Sequence, residues 1–320
     1  MKKAFGRACA AWVVSSVALG AWLALPRSAA AQSLGQNLRG DAGLKSATQA
    51  APGAYVVAPV WAQSADQLRG ADGEVLATGQ LNAAVFGVGL SYVTNQKVAG
   101  ANYGFLVTAP WSSNRLQTNQ IDQDAGTGFT DMYVQPVNLG WHAKRADFLL
   151  AYGLYLPTGS FEVGASDNHG LGMWGHELVA GATVYLDAGR QWHAATTASF
   201  NFFSEKKGTD RRVGNILTLE GGLGRDFRGG TLTAGAAYYA GYKLTADDLG
   251  AAAGGLVLPK DRGYGVGPEL TVALKTSKAI YGSVTVRYLF GMGTRVGVEG
   301  NTLSVLAAFM LKPVKLPPPQ

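Results

Sequence analysis

Of its 320 residues this chain spends one on cysteine, Cys9, four on histidine, and only 15% on charged side chains. With no cysteine pair there is no disulfide framework and no thiolate metal cluster. His142, His169, His176 and His193 stand in no fixed relation to a serine, and no G-x-S-x-G occurs, which argues against a serine hydrolase. His176-Glu177 lacks the second histidine of a zinc helix, so these four are expected at rims or in loops. Asp247-Asp248 is a lone acidic pair, read as solvated rather than as a calcium site. Gly263-x-Gly265-x-Gly267 precedes no helical pattern and is not a phosphate loop. No cofactor and no catalytic residue is expected. Beyond the first 25 residues no apolar run reaches the roughly 20 residues of a membrane-spanning helix.

What is present begins with an export signature. Lys2, Lys3 and Arg7 precede the apolar run 8–25, and Ser28-Ala29-Ala30-Ala31 closes it with small residues. This predicts a signal peptide over 1–31, with an uncleaved anchor disfavoured by Ser15, Ser16 and Gly20. Its removal takes four of the 27 basic residues and none of the 21 acidic ones, leaving 23 against 21, or +2. The basic balance of the whole chain therefore gives no reason to expect nucleic acid as a partner. Residues 32–52 are small and polar, and are expected to form a flexible periplasmic segment.

Glycine is abundant, at 44 residues, and the chain after Pro52 alternates apolar and polar side chains with period two. Twelve such segments can be marked: 54–61, 81–93, 101–110, 129–142, 146–157, 176–186, 191–204, 214–224, 231–243, 264–275, 279–290 and 301–311. Between them run alternating long and short connections, 19, 7, 18, 3, 18, 4, 9, 6, 20, 3 and 10 residues. An up-and-down barrel with loops at one end and turns at the other produces that rhythm. The segment 146–157 shows the phase best, with Phe148, Leu150, Leu154 and Leu156 on one face and Ala151 on the other. Ala84, Phe86, Val88, Leu90 and Tyr92 likewise share a face, predicted to meet lipid. Pro136 cannot donate to a ladder, so a bulge is expected there. Aromatic girdles are expected from Tyr92, Tyr103, Trp141 and Trp192 at the turn end and from Trp61, Tyr242, Tyr264 and Phe290 at the loop end.

The prediction is thus an all-β fold: a single transmembrane barrel over 53–311 with about twelve antiparallel strands, followed by a proline-rich tail, 312–320. Polar residues of the inner parity are candidates for a permeation path: Asp131, Tyr133, Gln135, Glu220, Lys243, Glu269 and Arg287. A symmetric hairpin about residue 277 sets Glu269 opposite Thr285, with Arg287 as its diagonal neighbour.

Several short pieces also match a known pattern in order and spacing. They are Gly128-Phe129-Thr130-Asp131 with Gln135-Pro136 and Leu139-Gly140-Trp141, then Leu156-Pro157-Thr158-Gly159. Later come Tyr238-Tyr239 with Thr245-Ala246-Asp247-Asp248, and Gly263-Tyr264-Gly265-Val266-Gly267-Pro268-Glu269. From Pro52 to Phe309 the chain resembles the outer-membrane family linked to the meta-pathway of phenol degradation, also called SphA-like or MetA-pathway. That resemblance implies an outer-membrane channel for passive uptake of small hydrophobic or aromatic compounds. Its expected partners are outer-membrane lipid, those solutes, and the secretion and barrel-assembly machinery. A structural or surface-interaction barrel with a plugged lumen is the second reading, and an outer-membrane enzyme the third.

Overall fold

The computed structural model describes residues 35–118, 122–276 and 278–315, so the predicted signal peptide and the end of the C-terminal tail lie outside the described residues. Thirteen strands follow one another: β1 (Gly53–Arg69), β2 (Val75–Val98), β3 (Ala101–Gln117), β4 (Asp122–Phe129), β5 (Met132–His142), β6 (Ala146–Leu156), β7 (Gly175–Tyr185), β8 (Trp192–Phe203), β9 (Ile216–Phe227), β10 (Leu232–Lys243), β11 (Arg262–Lys275), β12 (Ala279–Arg295) and β13 (Gly297–Lys315). β4 and β5 both pair with β3 and form one interrupted stave, which makes twelve staves. Each neighbour pair is antiparallel, and β1 pairs with β13 from Tyr55↔Met310 to Arg69↔Gly297, so the ring is closed. Residues 312–315, expected in the tail, continue β13.

Burial is inverted relative to a water-soluble protein. The buried set includes Asp131, Asp147, Glu177, Glu220, Lys243, Glu269 and Arg287. Large apolar side chains are the exposed ones, among them Leu90, Leu150, Leu178, Leu223, Leu270 and Phe290. Hydrocarbon solvates such an outer face, while the charged groups must find partners inside.

Three long connections, 157–174, 204–215 and 244–261, gather at one end of the barrel; short ones, 99–100, 143–145, 186–191, 228–231 and 276–278, lie at the other. The expected loops 62–80, 111–128 and 291–300 are mostly strand instead. β2 alone runs for 24 residues, about twice the 9 to 11 that a tilted strand needs to cross the bilayer. Sequence alternation marks where lipid stops, but a ladder continues into water, because paired backbone needs no apolar face.

The predicted bulge appears as a register shift between Val134 and Val137 against β6. The hairpin closes with Lys275 opposite Ile280, one residue past the symmetric register, and a further shift between Leu274 and Lys275 then sets Glu269 directly opposite Arg287, where the symmetric hairpin placed Thr285. Trp61 faces inward, only 9% exposed, because its indole N–H donates to the Arg39 carbonyl at 2.9 Å. It therefore belongs to the interior and not to a girdle. Ala151 faces inward as expected, yet at 2% exposure it lines filled space, so an arginine there would overpack the interior.

Leu150 tests the outer face. It is 46% exposed and paired with Leu139 and Ala180 across both neighbouring ladders. Leu150→Arg should cost about 2–4 kcal/mol when folding into lipid vesicles is titrated with urea, and Leu150→Phe should be near neutral. Equal responses from both variants would remove Leu150 from the lipid face.

Candidate functional site: an occupied lumen

The segment predicted to be flexible in the periplasm is found inside the barrel. Residues 35–52 run from the loop end to the turn end and then turn into β1. Near the loops the Gln36 amide donates to Asp131 at 2.8 Å and to the Met173 carbonyl at 3.2 Å. Asn37 donates to Glu177 at 2.9 Å. Arg39 pairs with Asp261 at 2.5 Å. At mid-height the Gly40 N–H donates to Glu220, and the Gly40 carbonyl accepts from Arg287 Nη1 at 2.8 Å. Further down Lys45 pairs with Asp226 at 2.6 Å, Thr48 donates to Asp147 at 3.0 Å, and Gln49 donates to Asn138 at 2.8 Å.

The reason this segment is not mobile lies in the wall. Holding one backbone residue costs about 1–2 kcal/mol, so an isolated polar segment stays disordered. Here inward carboxylates need donors, and a thread of amides and cations supplies them at nearly every turn. Nothing in residues 35–52 alone announces this, because partners outside the segment lie as far as 247 residues away.

The predicted candidates take up distinct roles. Asp131, in the gap between β4 and β5, also accepts the backbone N–H of Gly159 at 3.1 Å and of Leu171 at 2.9 Å. It thereby ties the Gly128–Asp131 and Leu156–Gly159 pieces together at the loop end. Tyr133 donates to Glu177 at 2.7 Å and accepts from Gln135 at 3.0 Å. Gln135 in turn accepts from Asn138 at 2.6 Å. Lys243 pairs with Asp247 at 2.8 Å and Asp261 at 3.5 Å, near the loops. Glu220, Glu269 and Arg287 meet around Gly40 and Leu44: Arg287 Nε donates to Glu269 at 2.6 Å, and Glu269 accepts the Leu44 N–H at 3.2 Å. Glu177, Asp147 and Asp261 were missed, although inner parity marks Glu177 and Asp147 as readily as it marks Glu220.

The histidines separate. His169 sits in a loop, its Nδ1 3.2 Å from Ser112 Oγ, and no carboxylate completes a triad among the described residues. His142 is 3.2 Å from Asp147 at the turn end. His176 stacks on Phe202 with ring centroids 4.7 Å apart. His193, expected at a rim, is 0% exposed and faces the lumen. Asp247 accepts the Gly214 N–H at 2.8 Å, and Asp248 bridges to Arg212, so both tie loops together.

At the loop end the wall parts. β8 and β9 pair only as far as Asn201↔Ile216. Residues 213–215 leave the sheet and bond to the 244–261 loop, with Leu244 N–H donating to the Asn215 carbonyl at 2.7 Å and Asn215 N–H to Thr245 Oγ1 at 2.8 Å. A cavity of about 470 Å³ lies beside this seam, lined by Phe200, Phe202, Phe203, Val213, Asn215 and Asp248 among others. Inside it, Phe203 packs in a buried cluster with Met173, Val213 and Ile216.

A closed antiparallel barrel with an apolar belt and a charged, filled interior is the architecture of bacterial outer-membrane proteins. The chain belongs to the family described as "Putative MetA-pathway of phenol degradation", whose model matches residues 65–307. Its fold is similar to that of an outer membrane channel from Pseudomonas putida F1, at a TM-score of 0.69 and 12% identity, covering 83% of this chain and 98% of that one. A looser likeness, at a TM-score of 0.45 and 12% identity, is to the translocator domain of the autotransporter NalP from Neisseria meningitidis, covering 82% of this chain and 90% of that one. No curated protein matches the chain in sequence.

The Glu269–Arg287 pair is open to a direct test. Glu269→Gln and Arg287→Gln each leave a buried charge without its partner and should each cost about 3–5 kcal/mol in urea unfolding. The double variant should lose less than the sum of the two. Strict additivity would mean that the two charges act independently.

Proposed function

We propose that this protein is exported with residues 1–31 removed and serves in the outer membrane as a passive facilitator for small hydrophobic or aromatic molecules. The observation that carries the reading is the parted seam between β8 and β9. There the outward Phe200 and Phe202 and the inward Phe203 line one side of a cavity whose other side carries Arg212, Asn215, Thr245 and Asp248, so aromatic faces stand on both sides of the wall at the seam. The axis of the barrel is barred to polar solutes by charges already matched to residues 35–52. A molecule dissolved in the outer leaflet reaches the seam without leaving an apolar environment. Its way onward leads along the threaded segment, past Gln36 and Asn37, toward the turn end.

The same thread favours a second reading, a plugged barrel whose loops bind other surface molecules without flux. Reconstituted vesicles separate the two. Toluene and 4-methylphenol should equilibrate faster into vesicles holding the protein than into empty ones, while glucose should not. Phe203→Asp, which places a charge in the path, should slow the aromatics, and deletion of residues 35–52 should raise ion conductance in planar bilayers. Aromatic equilibration identical with and without the protein would favour the plugged, loop-binding barrel.

A further inference from the structure

Leu44 is the largest apolar side chain that the threaded segment buries, at 1% exposure. The wall it rests on is hollowed to fit. A Cβ on Gly222, Gly224 or Gly235 would stand 2.8, 2.9 and 2.9 Å from its methyl carbons. Gly224 and Gly235 are direct partners across β9 and β10, and Gly222 lies two residues along the same face. Three missing side chains thus open a seat one side chain deep.

The edge of that seat is polar. His193 on β8 is the ladder partner of Gly224, and its Nε2 lies 2.8 Å from the same Gly224 Cβ position. The ring is fully buried, and neither nitrogen has a hydrogen-bond partner among the described residues. The Gln191 carbonyl is close to it but outside hydrogen-bond geometry. Nearby charges are already engaged: Lys45 with Asp226 at 2.6 Å, and Glu269 with Arg287 at 2.6 Å. A neutral imidazole carries one donor and one acceptor, and buried groups of this kind are nearly always satisfied. The methyl groups of Leu44 fill the seat but cannot satisfy the ring.

We propose that the glycine seat and His193 form a binding site for a small apolar molecule bearing one hydroxyl, such as a phenol. Its ring takes the place of Leu44 when the segment yields, and its hydroxyl pairs with His193. This site rests on the uptake reading for how the ligand arrives, but not for its chemistry.

The test uses the full mature chain in detergent, with 4-methylphenol and toluene as probes that share the methylphenyl frame and differ by the added hydroxyl. Leu44→Ala should bind 4-methylphenol about tenfold more tightly than the unaltered protein and prefer it to toluene; adding His193→Phe should reduce that preference about tenfold. In the unaltered protein the His193 ring resonance should move with saturating 4-methylphenol and stay in place with toluene, a reading that needs no variant to fold. An unmoved resonance, or a probe preference indifferent to His193→Phe, would overturn the site and leave the imidazole to a buried water. Vesicles that admit toluene while the resonance stays still would keep the uptake and lose the site. A shifted resonance in barrels that pass no aromatic would do the reverse.

Discussion

Hydrocarbon offers the peptide group no hydrogen bond, so a strand that crosses it must be paired on both edges, and the pairing of β1 with β13 is what meets that demand for the whole chain. Once the ring is closed, one parity of each strand belongs to lipid and the other to the interior, and the distribution of residue types follows. Leucine, valine and phenylalanine are cheap outside and charged groups are not. The interior inherits the acids and bases, and with them the problem of satisfying them.

Twelve staves enclose more space than their own side chains fill, and many inward groups are acceptors: Asp131, Asp147, Glu177, Glu220 and Glu269. Water alone would solvate them in a wide pore. This barrel uses residues 35–52 instead, placing amides, Arg39 and Lys45 where the carboxylates are. The filling is therefore electrostatic in its specificity, while Leu44 and Ala47 provide apolar packing along the same thread.

Much of the wall was legible in the sequence. Period-two alternation gave the face of Leu150 and of Leu90, and the connection lengths gave the two ends. Pro136 gave its bulge, because a missing N–H is a local property. What was not legible depends on distant partners. Gly70 to Glu74 closes a hairpin that alternation alone hides, since a ladder in water carries no apolar stripe. The burial of residues 35–52 is written in the inner faces of β5 to β12 rather than in the segment itself. His193 looked like any rim histidine until Gly224 and Leu44 were seen around it. Two motif pieces acquired a physical meaning only in space: Asp131 and Gly159 meet because one carboxylate receives a backbone N–H from the other piece.

The thread also constrains the order of events during assembly. Residue 35 lies at the loop end, residue 53 at the turn end, and a closed ring of strands surrounds the chain between them. A cord through a ring arrives either by being pushed through after the ring is made or by having the ring made around it. Pushing would drag the guanidinium of Arg39 and the ammonium of Lys45 past a passage lined by opposite charges, each of which would seize them early. Closing around the cord needs only that the β1–β13 seam forms last, with the segment already laid against β5 to β12. In that order its bonds to Glu220, Glu269 and Asp226 would precede the final ladder, and the plug would be the mandrel on which the barrel is wound.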